Sequence, residues 1–402
     1  MAQPTARPTR ETEKEASDMT TQTRMGVVAL FLGAAMSSSG MAQEPIKIGL
    51  TSSFTGTAAL FGQHDRYGVE MALAELNDKG GVLGRRFVLE AEDNKCSPAE
   101  GVKAATKLLS EHKVTAIIGA MCSSVTLAIM PLIQRAETPL VIPVSTSPAI
   151  SPLSGKGGNN WAFRTTPSDD GMAMAIGRYL KDKGVKRMAV VAEDTDYGRG
   201  GARGMTEALK AVGISLVATE FIPQNTPDFT TLLTKIDAMN VDRVAVYLLS
   251  TDVQNFFRQY EALGARTRVT GRAEMSVVRG AVTPEFLAKG GLDGTSGLNP
   301  YAFGLDTPEN KDFVARFRAR YNTDPIQMSF YSYEATKVLA EAIARAGKVD
   351  RHAIREALAK TKYKSIMGGQ IEFDDFNQSH NNTIMIELKD GGKVAIVGLY
   401  KS

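Results

Sequence analysis

The chain has 402 residues, with 47 Lys and Arg against 44 Asp and Glu, a formal charge of +3 at pH 7. This small excess is spread along the chain without a basic block, which speaks against a nucleic-acid partner. Two cysteines and four scattered histidines (His64, His112, His352, His380) stand at no metal-ligand spacing, so no metal and no cofactor is expected.

Residues 1–42 read as an N-terminal extension and signal peptide. Met25 to Met36 is an apolar run of about a dozen residues, too short to cross a bilayer. Arg24 precedes it, and Gly40 and Ala42 occupy the −3 and −1 positions of a cleavage after Ala42. Residues 1–18 are polar and mixed in charge, so translation is expected to start at Met19, with Met1 the alternative. Removing 1–42 leaves about 360 residues, ordinarily two domains. An export signal with an even cysteine count favours a Cys96–Cys122 disulfide over two buried thiols. Closing that loop contributes roughly 3–4 kcal/mol in the chain-entropy picture.

From Ile46 onward, strand and helix patterns alternate. Ile46 to Ser52 predicts a strand, and Val69, Ala72, Leu73 and Leu76 line one face of a helix that stops at Gly80-Gly81. Phe87 to Ala91 is the next strand. Ser97, Pro98 and Glu100 form a capping box opening a helix to about Glu111. Val114 to Gly119 is continuously apolar, as the buried middle of a parallel sheet requires. The pattern restarts after Arg164: helix 169–183, strand 187–192, a helix from about Gly200, strand 215–221, helix 229–239 and strand 243–248. Two such runs predict two doubly wound α/β lobes. In the tail, helices over 310–321, 329–346 and 351–361 are expected to return and cover the two sheets. A hairpin over 383–400 turns at Asp390-Gly391-Gly392. The chain then crosses between lobes more than once, as in a hinged clamp.

Reactive constellations are absent: there is no HExxH, Walker loop or GxSxG elbow, and no enzyme is expected. YGRGGARG from Tyr197 resembles a dinucleotide fingerprint, but Arg203 stands where its third glycine belongs. It reads instead as a flexible strand-to-helix turn at the mouth of a cleft. Hydroxyl-rich turns at strand ends are more informative. Cys122-Ser123-Ser124 and Ser145-Thr146-Ser147 each follow an apolar strand, where free backbone N–H groups beside hydroxyls suit a small carboxylate. Each alone is also a plain helix N-cap. Thr55-Gly56 with Phe61 adds a loop with an apolar wall.

The blocks FTGTAALFG from Phe54, GGVLGR from Gly80, EDNKCSPAEGV from Glu92, GAMCSSVT from Gly119, PVSTSPAIS from Pro143 and DTDYGRGG from Asp194 resemble the leucine/isoleucine/valine-binding protein family. These are the periplasmic receptors of branched-chain amino-acid ABC importers, and the resemblance spans the chain from about Pro45. It implies a type I periplasmic-binding-protein-like fold, two lobes joined by a multi-strand hinge, and a disulfide between Cys96 and Cys122. Lobe 1 is expected over 43–164 with 297–375, and lobe 2 over 165–296 with 376–402. The resemblance further implies a periplasmic monomer that captures a branched-chain or other hydrophobic amino acid and delivers it to a membrane permease.

By the same resemblance, Ser123 and Thr146 hold the ligand carboxylate, and the Val144 carbonyl with Thr146 helps bind the ammonium. Phe61 packs against the ligand and Tyr197 closes over it. The acidic partner of the ammonium falls in GRAEMSV from Gly271, where Glu274 sits one place beyond the family's position, which Ala273 fills, and Arg272 stands beside it. Leu249 or Ser250 replaces a ligand-contacting tyrosine. If Glu274 faces the cleft the ligand is an amino acid. If Arg272 does, an aromatic carboxylate, amide or urea is the alternative, and both side chains on a solvated rim is a third outcome. A ligand-sensing module of a signalling system is a further alternative, and it is expected to carry a transducer.

Overall fold

The structure, a computed structural model, describes residues 43–401; the signal peptide, its cleavage after Ala42 and the start at Met1 or Met19 lie outside the described residues. The first run is β1 (Ile46–Ser52), α1 (Ala59–Asp78), β2 (Phe87–Asp93), α2 (Pro98–Ser110), β3 (Ala116–Gly119), α3 (Ser123–Arg135), β4 (Leu140–Ile142) and β5 (Ala162–Arg164). Its five strands form one parallel sheet in the order β2-β1-β3-β4-β5. Alternate residues of the central strands enter different cores. Ala116, Ile118 and Val141 face one side with α1, while Ile117, Leu140 and Ile142 face the other with α2 and α3. Burial on both faces explains why these strands are apolar without alternation.

The second run is α4 (Asp169–Asp182), β6 (Arg187–Glu193), α5 (Asp196–Val212), β7 (Ser215–Ile222), α6 (Thr230–Ala238), β8 (Arg243–Tyr247), α7 (Ser250–Leu263) and β9 (Arg268–Gly271). It forms a parallel sheet in the order β7-β6-β8-β9. The helix expected from Gly200 begins four residues earlier, because the Thr195 hydroxyl accepts the Gly198 N–H and caps it. The glycines that read as a flexible turn lie inside this helix. A Cβ on Gly201 would lie 2.1 Å from the Tyr247 ring, and one on Gly200 would lie 2.8 Å from Pro148 of the other lobe. They permit close packing of α5, not flexibility.

The remaining elements are α8 (Met275–Gly280), α9 (Pro284–Ala288), β10 (Ser296–Asn299), α10 (Pro308–Tyr321), α11 (Gln327–Ala346), α12 (Arg351–Leu358), β11 (Tyr363–Lys364), β12 (Gln370–Ile371), β13 (Asn382–Lys389) and β14 (Lys393–Lys401). The expected hairpin is β13–β14, antiparallel and continued by β10. The tail helices do not divide between the two sheets. Ala335, Val338 and Leu339 of α11 and Ile354 and Leu358 of α12 join the core of the first sheet, while α10 packs on α1 and α11. One face of the second sheet is covered by α4 and α5, with Leu298 and Met385 of the antiparallel strands, and the other by Leu233 and Ile236 of α6 and Val253 and Phe256 of α7. Ser97 sits at the start of α2, but its side chain makes no capping bond, and Glu100 pairs with Lys103 instead.

The chain passes between the lobes three times, after β5, after β10 and before β13. Two of these passages run side by side. Arg164 N donates to Asn377 O at 2.8 Å, Ser379 N donates to Arg164 O at 2.9 Å, and Asn381 Nδ2 reaches Thr165 O at 2.6 Å. The Arg164 side chain is buried between them, bonded to Gln378, the Ser147 carbonyl and the Ser151 hydroxyl.

Candidate ligand site

One cavity of about 610 Å³, its open mouth included, lies between the lobes. It is built almost entirely from residues just past the carboxyl ends of parallel strands, where open α/β sheets present their binding groups. Phe61, Ser123, Val144, Thr146, Tyr197 and Glu274 all line it, so the structure brings the six sequence-expected residues together. The Cys96–Cys122 disulfide is formed and lines the same wall. Thr55 does not contribute: its hydroxyl donates to Asp93 at 2.5 Å, on the outside of the loop.

On the first lobe, α3 starts at Ser123, so its first backbone N–H groups have no helical acceptor. Ser123 Oγ accepts the Ser147 N–H at 3.2 Å, which leaves its own hydrogen to donate. Hydroxyl and helix start together suit an anion. The Ser145–Ser147 turn differs from the expectation, since no helix opens there. Ser145 Oγ donates to Ala120 O at 2.7 Å, and Thr146 Oγ1 donates to Asp169 Oδ2 at 2.6 Å. The Thr146 hydrogen is thereby committed to a carboxylate of α4, and its oxygen can only accept from a ligand. That suits an ammonium and not a carboxylate.

On the second lobe, Gly271 ends β9 at φ +110°, with a hypothetical Cβ only 2.6 Å from Val246 O. Only glycine fits this bend, and past it the strand alternation is broken. Arg272 and Glu274 therefore both reach the cavity, and both are buried, not on a solvated rim. Their bonding differs. Arg272 Nε holds Asp169 Oδ1 at 3.1 Å and Nη1 donates to Leu298 O at 2.5 Å, so its charge has a partner. Burial raises the Asp169 carboxyl, with Arg272 and Thr146 opposing the shift. Glu274 Oε1 accepts the Ser276 hydroxyl at 3.1 Å, and its enclosed Oε2 has no well-formed hydrogen bond from the protein. Burial pushes this carboxyl up to about 7, with Ser276, Arg272 and the Gln327 amide offsetting only part of the effect.

The rest of the wall is largely apolar: Met121, Leu248, Leu249 and Met328 join Phe61 and the Tyr197 ring. Of Leu249 and Ser250, it is Leu249 that lines the cavity. Gln327 and Met328, at the start of α11, and Asp169 carried no sequence signal. Each lies far along the chain from the motifs it meets.

The lobes also bond to each other around the cavity. Ser250 Oγ and Thr251 Oγ1 each donate to Thr57 O at 2.7 Å, and Asp196 N donates to Ser124 Oγ at 3.1 Å. Among the described residues, no group of three or more His, Cys, Asp or Glu side chains is placed to hold a metal ion.

A hinged pair of parallel-sheet lobes closing on one polar-anchored cavity defines a cleft-binding α/β protein. The chain belongs to the periplasmic binding protein family, which residues 45–393 match. It is 28% identical over 382 residues to an amino acid binding protein of Pseudomonas aeruginosa, covering 92% of this chain and 97% of that one. It is likewise 28% identical to a Leu/Ile/Val-binding protein of Rhizobium johnstonii, over 90% of this chain and 96% of the relative. A leucine binding protein from Thermotoga maritima superposes with a TM-score of 0.76 at 25% identity, covering 88% of this chain and 98% of that chain. A Rhodopseudomonas palustris solute binding protein in complex with benzoate gives 0.80 at 22% identity, over 89% and 97%.

Proposed function

We propose that the protein is the periplasmic receptor of an ABC importer, and that it captures a branched-chain or other hydrophobic amino acid between its lobes for delivery to the permease. The observation that carries this reading is Glu274, a buried carboxyl that lines the cavity and whose Oε2 has no hydrogen-bond partner in the protein. A buried anion of this kind calls for a cation from the ligand. The α3 start with Ser123 takes the carboxylate, Glu274 and the Thr146 oxygen take the ammonium, and Phe61, Met121, Leu248, Leu249 and Met328 surround an apolar side chain. Tyr197 closes over the ligand from the second lobe. The curated relatives' names point to the same ligand class. The protein acts as a monomer and binds without turnover.

We assign residues 43–164 with 300–375 to the first lobe and 165–299 with 376–401 to the second, three residues past the boundary expected at 296, because β10 pairs with β13 as far as Asn299. The hinge at Arg164 and Gln378 lets ligand settle on the first lobe before the second shuts, so binding shifts the population to the closed form. Aromatic carboxylates are the second reading, favoured by Arg272 on the same wall and by the fold shared with the benzoate-bound protein. Arg272 is already neutralised by Asp169, which favours the amino acid.

Calorimetric titration with leucine, isoleucine, valine, benzoate, an amide and urea separates the two. Amino acids are expected to bind, and Glu274→Gln to weaken them by about 2–5 kcal/mol. Because the ammonium pairs with ionised Glu274, affinity is full above about pH 7 and falls as pH drops below it. Binding of benzoate alone, unaffected by Glu274→Gln, would reject the amino-acid reading.

A further inference from the structure

Behind the second-lobe wall, two carboxyl groups come together that do not line the cavity. Glu193 closes β6 and Asp252 lies in the first turn of α7; both are fully buried. Glu193 Oε1 accepts the Leu249 N–H at 2.5 Å, and Asp252 Oδ2 accepts the Asn225 N–H at 3.1 Å. The remaining oxygens, Glu193 Oε2 and Asp252 Oδ1, are enclosed without a well-formed hydrogen bond; the Gln224 side-chain amide stands near Glu193, the Thr226 N–H near Asp252, and the two carboxyls lie within reach of each other. Two carboxylates in contact in a buried site cannot both ionise, so one proton is shared between them.

The segments that this pair ties together are those that grip the first lobe. Asn225 Oδ1 meets the Thr57 hydroxyl, and the α7 start donates to Thr57 O through Ser250 Oγ, Thr251 Oγ1 and the Thr251 N–H at 3.2 Å. The acid pair thus stands at the root of a two-pronged clasp around Thr57. Tyr197 from the first turn of α5 and the Gln224 amide from the loop after β7 stand near Glu193. Among the described residues, no Arg, Lys or His forms an ion pair with either carboxylate, so a second negative charge there has no compensation.

We infer that Glu193 and Asp252 are positioning residues for lobe closure: while they share one proton they hold the Asn225 and Ser250–Thr251 segments together around Thr57, and losing that proton loosens the clasp and weakens ligand capture. Burial raises both carboxyls, Glu193 to about 8. The proton is therefore in place at neutral pH and leaves as pH rises through that value. This loss on the alkaline side is opposite in direction to the acid-side loss expected from Glu274, so the two are separable. The identity of the ligand rests on the amino-acid reading; the clasp does not.

The test compares wild type with Glu193→Gln, whose amide hydrogen replaces the shared proton, by leucine titration at pH 7 and pH 9. Residue-resolved exchange of the Thr251 amide in ligand-free protein is followed at the same two pH values. Wild type is expected to lose up to about tenfold in affinity relative to the variant at pH 9, as the closing-competent fraction falls. The Thr251 amide should exchange faster in wild type than in the variant at pH 9 but not at pH 7. Parallel behaviour of the two proteins in both measurements overturns the proposal. If leucine fails to bind either protein at pH 7, the ligand reading falls and Thr251 exchange alone decides the clasp. Asp252→Asn provides the same comparison should Glu193→Gln not fold.

Discussion

The two walls of the cleft are made from different chemistry. The first-lobe wall uses hydroxyls, Ser123, Ser124 and Thr146, each tied to a backbone group or a carboxylate. The second-lobe side uses buried charge: Asp169 with Arg272, the Glu193–Asp252 pair, and Glu274 with one oxygen unmet. A hydroxyl both donates and accepts and costs little to bury, so the first wall can be complete before ligand arrives. Buried ionisable groups are sensitive to the presence of each partner. Changes on the second side should therefore move stability and pH behaviour most, while those on the first should move affinity more than stability.

The largest expected effect comes from Arg272→Met, which leaves Asp169 charged and uncompensated. Urea unfolding should show a loss of about 3–5 kcal/mol. A loss below 1 kcal/mol would place the pair's worth elsewhere. Next, the ligand-free protein should lose stability as pH rises from about 4.5 to about 7, because the folded state holds the Glu274 proton more tightly than the unfolded chain does. The contribution is about 3 kcal/mol and is read as the difference between wild type and Glu274→Gln. Equal pH profiles would show that this carboxyl is not perturbed.

The smallest effect on the fold is expected on the first wall. Ser123→Ala should weaken leucine binding by about 1.5–3 kcal/mol, while stability falls only by the roughly 1 kcal/mol of the lost Ser147 bond. A variant that unfolds instead would collapse the distinction between the walls.

The same contrast governs what was legible in the sequence. Ser123 was readable because strand, small hydroxyl residue and helix start follow one another locally, and this neighbourhood alone makes an anion site. The strands were readable because both sheet faces are covered. Arg272 and Glu274 were not assignable, since Gly271 bends the chain and no periodicity survives the bend. Asp169, the partner of Arg272, lies 103 positions away and looked like an ordinary acidic helix start. Glu193 and Asp252 likewise meet only through the pairing of β6 with β8. The α5 start was misplaced because glycines selected for close approach to Tyr247 and Pro148 resemble loop glycines. Local chemistry could be inferred from the sequence; buried charge pairing is a property of the tertiary fold.

The bonds from Ser250 and Thr251 to Thr57, from Asp196 to Ser124 and from Thr146 to Asp169 join protein to protein, with no cargo atom among them. They give the shut clamp an adhesion of its own. The free energy a solute must add to tip the balance is correspondingly smaller, which lets a weakly gripped nutrient still trigger shutting. The same economy has a cost for the importer. On the proposed function, some shut receptors arrive idle at the membrane, and the permease must tolerate that background or read something more than shape.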